Sequence, residues 1–261
     1  MGTDRDEAAT MTSGTQLPAG QGRAALVTGG SRGIGYALAE MLGEEGYSLT
    51  IVSRKKARLD AAEERLRSRG YKVQAVLADV QFEDQIKDAV DRHRASYGRL
   101  DVLVNNAGFG LNATIVDHST TWIDRLLDVN LRSTILFYRD SMDLLERAGQ
   151  EHGNALVVNL ASVAGKAGHE SLSVYSAAKH GVVGFTQAMN RELASRGIKS
   201  CAICPGYVDT DLADFKKSEI PSQEMISTDD VVHMVRALMQ LSRWCVVPEI
   251  VMVRPGDEVV A

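Results

Sequence analysis

Short, mostly apolar runs alternate with amphipathic stretches along this chain. The runs are Ala24 to Val27, Leu49 to Val52, Val73 to Leu77, Leu100 to Val104, Ala155 to Leu160, Ile198 to Ile203 and Ile250 to Val253. Near-continuous apolar strands are expected where helices cover both faces of a sheet. Between the runs, Ile34, Ala37, Leu38, Met41 and Leu42 recur at helical spacing, as do Val174, Ala177, Ala178, Val182, Phe185 and Met189. This alternation predicts an α/β architecture, a doubly wound parallel sheet of about seven strands with helices on both faces. The longest irregular stretch runs from Tyr207 to Ser227, before a helical pattern over Val231 to Leu241. Loops of that length are usually functional, and residues 207–226 are expected to form a lid.

Composition narrows the picture. A chain of 261 residues, 44% apolar and with five prolines, is expected to form a single domain over residues 23–261. Residues 1–22 are small and polar with no apolar core, and are expected to be a disordered tail rather than a secretory signal. A net charge of −5 offers no footprint for nucleic acid or an anionic membrane surface. No apolar run reaches the roughly 18 residues of a transmembrane helix.

Cys201, Cys204 and Cys245 are an odd set, which points to a reducing, cytoplasmic compartment rather than a disulfide framework. Cys201 and Cys204 spell C-x-x-C, but inside a strand-like run. Positions i and i+3 of a strand face opposite ways, and a redox pair is better served by a helix N-terminus. The six histidines show no paired ligand spacing, so no metal is expected.

Candidate chemistry begins at Thr28-Gly29-Gly30-Ser31-Arg32-Gly33-Ile34-Gly35, which follows the first strand and opens the first helix. Glycines there let the backbone approach a pyrophosphate, and free N–H groups at the helix start attract the anion. Gly29, Ser31, Arg32, Gly33, Ile34 and Gly35 are therefore candidate dinucleotide contacts in a Rossmann-type fold. The same residues match the G-x-S-x-G nucleophile elbow, but no suitable histidine or oxyanion stretch follows. An NAD site carries Asp or Glu about 20 residues beyond the glycines to hold the ribose 2′-hydroxyl. Here Ser53 and Arg54 occupy that position. Ser53 leaves room for a phosphate, and Arg54 and Arg32 supply planar, permanent charge. The cofactor expected is NADP(H), with NAD(H) the alternative.

Tyr175 and Lys179, at i and i+4, share a helix face. A tyrosine titrates near 10, and a neighbouring ammonium is expected to lower that value toward a useful acid/base range. Ser162 follows the fifth strand, at the carboxyl edge where open α/β sheets bind ligands.

Together these residues resemble the short-chain dehydrogenase/reductase family, from about Ala24 to the C-terminus. Thr28-Gly29-x-x-x-Gly33-x-Gly35 matches the family's cofactor motif, and Asn105-Asn106-Ala107-Gly108 its N-N-A-G motif. Asn130 falls where the family has a catalytic asparagine, and Ser162, Tyr175 and Lys179 match the serine and the Y-x-x-x-K pair. Pro205-Gly206, with Val208 and Thr210, matches the nicotinamide-side segment, and Asp79-Val80 the adenine contact. The resemblance implies an oxidoreductase interconverting a carbonyl and a secondary alcohol. Tyr175 would be its acid/base, Lys179 the ribose contact, Ser162 the carbonyl-orienting group and Asn130 the holder of a relay water. It also implies a homodimer or homotetramer built on the helices carrying Asn130 and Tyr175, where Trp122, Leu126, Phe185 and Met189 lie.

The residues after Pro205-Gly206 are too few for the separate substrate domain of the family's longer branch. The ending Val247 to Pro255 departs from the glycine-rich ending common in 3-oxoacyl carrier-protein reductases. It looks more like the branch acting on small hydroxy-acid or aldehyde and ketone substrates. Selectivity is expected from Gly108 to Leu111, Ala164 to Leu172 and the lid. Phe109, Leu111 and Leu172 supply apolar surface; Lys166, Glu170 and above all His169 are the possible polar contacts. A non-catalytic NADP(H) sensor or scaffold, and an NAD-dependent alcohol dehydrogenase, are the rival readings.

Overall fold

The computed structural model describes residues 22–257, so the expectation for the N-terminal tail lies almost wholly outside the described residues. Seven strands, β1 (Ala24–Thr28), β2 (Ser48–Ser53), β3 (Val73–Leu77), β4 (Val102–Asn105), β5 (Ala155–Leu160), β6 (Ile198–Pro205) and β7 (Glu249–Met252), form one sheet. Its order is β3-β2-β1-β4-β5-β6-β7, and every neighbouring pair is parallel. The helices are α1 (Gly33–Glu44), α2 (Lys56–Ser68), α3 (Glu83–Tyr97), α4 (Thr120–Leu127), α5 (Ser133–Asp140), α6 (Met142–His152), α7 (Ser173–Leu193) and α8 (Thr228–Gln240).

Alternation along the central strands explains the two-sided core. Val27, Val104 and Val158 point to the face covered by Leu38 and Leu42 of α1, Leu66 of α2 and Val235 of α8. Their chain neighbours Leu26, Leu103 and Val157 point to the other face, under Ile86 of α3, Phe137 of α5 and Leu145 of α6. Each such side chain contributes about 1.5–3 kcal/mol by leaving water. Between them, Asn105 Nδ2 donates to Asn159 Oδ1 at 2.9 Å, and Asn159 Nδ2 donates to the Thr186 hydroxyl at 2.9 Å. That chain ties β4, β5 and α7 through the apolar interior.

The expected strands are all present, with shifted ends. β4 starts at Val102 rather than Leu100, because Asp101 is spent on the turn before it. Its carboxylate accepts the Ala24 N–H at 2.9 Å and the Arg99 guanidinium at 2.7 and 2.8 Å. β6 runs on to Pro205 because β7 continues alongside it. Residues between β6 and α8 form two short 3₁₀ turns, Asp211–Lys216 and Ser222–Glu224, joined by a Val208–Ile226 bridge. No helix among the described residues is long and apolar enough to cross a membrane.

After β3 the chain returns to the other side of β1, so β1 and β4 are the point where strand order reverses. Connections leave in opposite directions there, and a crevice opens at the strands' carboxyl ends.

Candidate active site

The glycine loop sits at that crevice. Its tightest demand falls on Gly35, where an added Cβ would lie 2.4 Å from Asn106 Nδ2 and 2.5 Å from the Gly29 carbonyl oxygen. Gly29 makes the turn itself, with φ 66. Asn106 then holds the loop: its Nδ2 donates to the carbonyls of Thr28 (3.0 Å) and Gly29 (3.3 Å). The Thr28 hydroxyl accepts from the N–H groups of Asn106 (2.9 Å) and Ala107 (3.0 Å). The N-N-A-G segment is therefore first a clamp on the loop. Nothing acidic stands in the first turn of α1, and no side chain caps it, which leaves its N–H groups for an anion.

Gly29, Ser31, Arg32, Gly33, Ile34, Ser53, Arg54, Asp79, Val80, Asn106, Ala107, Gly108 and Thr210 all line one cleft. Six further cofactor candidates lie outside that lining, Tyr175 and Lys179 among them. Gly35 is packed beneath the loop, Pro205 ends β6, the Gly206 N–H donates to the Met252 carbonyl at 2.8 Å, and Val208 is buried in the 207–226 segment. Lys55, Arg58, Asp211 and Leu212 also line the cleft without having been singled out as contacts. Lys55 and Arg58 look in sequence like an ordinary solvated helix start, and Asp211 carries no motif.

At the adenosine end the Ser31 and Ser53 hydroxyls are 2.9 Å apart. Ser31 thus meets another hydroxyl rather than a histidine, which disposes of the nucleophile-elbow alternative. Arg54 faces Asp79 at 3.9 Å, and Asp79 is fixed by the Gln81 N–H at 3.1 Å and by its own N–H to Gln85 at 2.8 Å. Arg32 pairs with Asp211 across the cleft, and Arg58 approaches the same carboxylate at 3.5 Å.

Tyr175 stands in the first turn of α7, with Lys179 one turn on. Lys179 is buried, its Nζ donating to the Leu160 carbonyl at 2.7 Å and lying 5.6 Å from the Tyr175 ring centre. Ser162 leaves β5 in extended backbone; its Oγ accepts the Ala164 N–H at 3.2 Å and donates to the Pro205 carbonyl at 3.5 Å. The expected lowering of Tyr175 is not what the structure shows. Burial pushes the phenol up to about 12, with only a Ser162 hydrogen bond acting the other way. Burial also pushes the Lys179 amine down to about 8, so low polarity governs both groups.

Asn130 lies in a π-helical turn, Asp128–Arg132, between α4 and α5. Its Oδ1 accepts the Phe109 N–H at 3.2 Å, and its Nδ2 donates to the carbonyls of Phe109 (2.9 Å) and Leu126 (3.0 Å). The side chain is committed to protein. Gly108 explains the crowding: a Cβ there would sit 2.8 Å from Asn130 Oδ1 and 3.6 Å from Lys179 Nζ.

Two walls flank this group. The Ala113 N–H donates to the carbonyl of Ser171 at 2.9 Å, and Ser171 holds a left-handed φ of 60. Lys166 is not free for substrate, because its Nζ pairs with Glu249 at 2.8 Å with both side chains largely buried. His169 and Glu170 are exposed. Tyr207 and Phe215 meet edge to face within residues 207–226 at 6.3 Å, while Leu126, an interface candidate, is fully buried core. Cys201 and Cys204 belong to packing clusters on opposite faces of β6, and burial pushes both thiols up to about 12.

Residues 23–221 match the family model described as short chain dehydrogenase. An uncharacterized oxidoreductase of Bacillus subtilis, YxjF, is 35% identical over 81% of this chain and 80% of its own length. The 3-oxoacyl-(acyl-carrier-protein) reductase FabG of Staphylococcus aureus is 34% identical over 77% of this chain and 80% of its own. A solved variant of actinorhodin polyketide ketoreductase with NADPH superposes with a TM-score of 0.78 at 30% identity, covering 88% of this chain and 95% of that one. With its parallel sheet, its glycine loop and this likeness along most of its length, the chain belongs to the short-chain dehydrogenase family and is an oxidoreductase acting between alcohol and carbonyl.

Proposed function

We propose that the protein is an NADP(H)-dependent ketoreductase that converts a 3-oxoacyl thioester or a comparable extended ketone to the secondary alcohol. The observation that carries this reading is the convergence of Ser162, Tyr175 and Lys179 at the carboxyl ends of β5 and β6, beside the glycine loop. A bound NADPH would supply the hydride to the carbonyl carbon. The residues present fit that cofactor: free N–H groups at the start of α1 for the pyrophosphate, and two small hydroxyls with Arg54 and Arg32 at the 2′-phosphate corner.

Tyr175 then donates its proton to the carbonyl oxygen, and burial keeps it protonated at neutral pH, in the form that reduction needs. The Ser162 hydroxyl orients the same oxygen and stabilises the developing alkoxide. Lys179, held on the Leu160 carbonyl, keeps a positive charge beneath Tyr175 as proton and charge move. Since the Asn130 amide is satisfied by Phe109 and Leu126, its part is to position the floor of the site, and a relay water would have to use its main-chain carbonyl. Phe109, Leu172, Tyr207 and Phe215 supply apolar surface for an acyl or polyketide chain. The named ketoacyl and polyketide reductases among the relatives support that substrate class.

This reading places the enzyme in the cytoplasm, in keeping with three free thiols, as a homodimer or homotetramer using the exposed face of α4 and α5 around Trp122 and Ile135. The test is NADPH and NADH oxidation against 3-oxoacyl thioesters, diketones, aldehydes and steroids. Turnover of 3-oxoacyl thioesters with NADPH is expected. A purified protein that binds NADPH and turns over none of them would favour the sensor reading instead.

A further inference from the structure

The lid carries a charge that points into the cofactor cleft. Asp211, at the first position of the Asp211–Lys216 turn, pairs with Arg32 of the glycine loop and approaches Arg58 of α2 at 3.5 Å. These guanidinia come from two different walls of the cleft that Asp211 also lines. The Thr210 side chain lies beside them against the same loop: a Cβ added at Gly33 would come within 3.1 Å of its methyl. A carboxylate held between two arginines does there what a phosphate would do, since the oxygens of both accept from a guanidinium fork.

We propose that Asp211 is a specificity-determining residue that competes with the cofactor's 2′-phosphate for Arg32 and Arg58. The inference rests on the NADP(H) reading above. A dianionic phosphate brought to Ser31, Ser53 and Arg54 repels Asp211 and recruits the two guanidinia, so loading a phosphorylated cofactor unties this end of the lid. NADH has no such group and leaves the tie in place. Discrimination between the two cofactors is then partly spent on the lid: the preference for NADPH is smaller than the arginines alone would produce. Because Arg32, Arg58 and Asp211 are each about half exposed, screening keeps the effect modest, at about three- to tenfold in affinity.

The test is equilibrium binding of NADPH, NADH, 2′,5′-ADP and 5′-ADP to the wild-type chain, Asp211→Asn and Asp211→Glu, at low and high salt. Proteolytic cleavage within residues 211–217 is followed in parallel. Asp211→Asn is expected to tighten NADPH and 2′,5′-ADP about three- to tenfold at low salt, leave NADH and 5′-ADP unchanged, and expose the lid without ligand. Asp211→Glu should stay near wild type. In the wild type, NADPH but not NADH should increase lid cleavage. Equal or weaker NADPH binding by Asp211→Asn, in a protein that still prefers NADPH, overturns the competition and leaves the cofactor reading standing. A wild type that prefers NADH overturns both.

Discussion

The hydroxyls of Ser31 and Ser53 meet 2.9 Å apart where the first strand's glycine loop crosses the end of the second. That contact sits where a carboxylate would define an NAD site. Ser53→Asp is therefore expected to weaken NADPH about tenfold or more through like-charge repulsion while improving NADH. Fluorescence titration of both cofactors reads the ratio. An unchanged ratio would place the recognition of the phosphate elsewhere, at Arg54 or Arg32.

Removing the Tyr175 hydroxyl takes away only the transferred proton. Tyr175→Phe is expected to lower kcat by about 10²–10⁴, with NADPH affinity within about twofold of wild type. Turnover that survives the substitution would move the acid to another group.

A tyrosine pushed up to about 12 stays protonated throughout the neutral range. Reduction should therefore be flat with pH from about 6 to 7 and decline only as the Lys179 ammonium, pushed down to about 8, is lost, whereas alcohol oxidation, which needs the phenolate, should climb through neutrality. Initial rates in both directions over a pH series check this. A reduction rate that falls steeply through neutrality would show that cofactor binding pulls Tyr175 far below its value here.

Gly35→Ala puts a methyl against the Gly29 carbonyl and Asn106, whose positions define the phosphate loop. Loss of NADPH affinity of about tenfold or more is expected, since small displacements of such a site are costly. Gly184→Ala is the matching control: nothing lies within 4 Å of the added Cβ, and alanine in a helix interior is favoured by about 0.5–1 kcal/mol. Its Tm should rise slightly, with binding intact.

His93 is buried beneath β2, sharing a 2.7 Å hydrogen bond with Thr50 and a 2.9 Å bond with the Arg99 carbonyl. Burial pushes it down to about 4 from 6.5, so the folded chain keeps it neutral while the unfolded chain takes up a proton. The stability it contributes is fully present above 6.5 and is lost as pH falls toward 4, by about 3 kcal/mol at most. Urea midpoints at neutral and mildly acidic pH should converge between wild type and His93→Gln at the acidic end. Parallel pH dependence in both proteins would assign the acid sensitivity to other groups.

Much of this was legible beforehand, for physical reasons that differ from residue to residue. The strands were readable because helices cover both faces, leaving runs such as Ala155 to Leu160 wholly apolar but for Asn159. Glycines at 29, 33 and 35, and the spacing of Tyr175 and Lys179, are local constraints and so survive in the sequence. Lys166 was misjudged because its partner, Glu249, arrives from the last strand. The contacts of Asn130 are equally hidden, because the π-helical turn that presses its amide onto Phe109 has no local signature. The same distance hides Asp211, 179 residues from Arg32. Helical spacing put Tyr175 near an ammonium, but burial, which only the full fold sets, decides its acidity.

The parallel order of the sheet has a kinetic side. No strand here can find its neighbour through a hairpin; each pairing waits for a helix to cross over. The β1–β4 pair joins Ala25 to Val102, closing a long loop before it gains any contact, which is the slow class of folding event. The crevice between those strands thus comes into being late. A nascent chain released before β4 has nowhere to put a dinucleotide, and during refolding the cofactor's fluorescence signal should rise with the slowest phase, after most helical ellipticity has already returned.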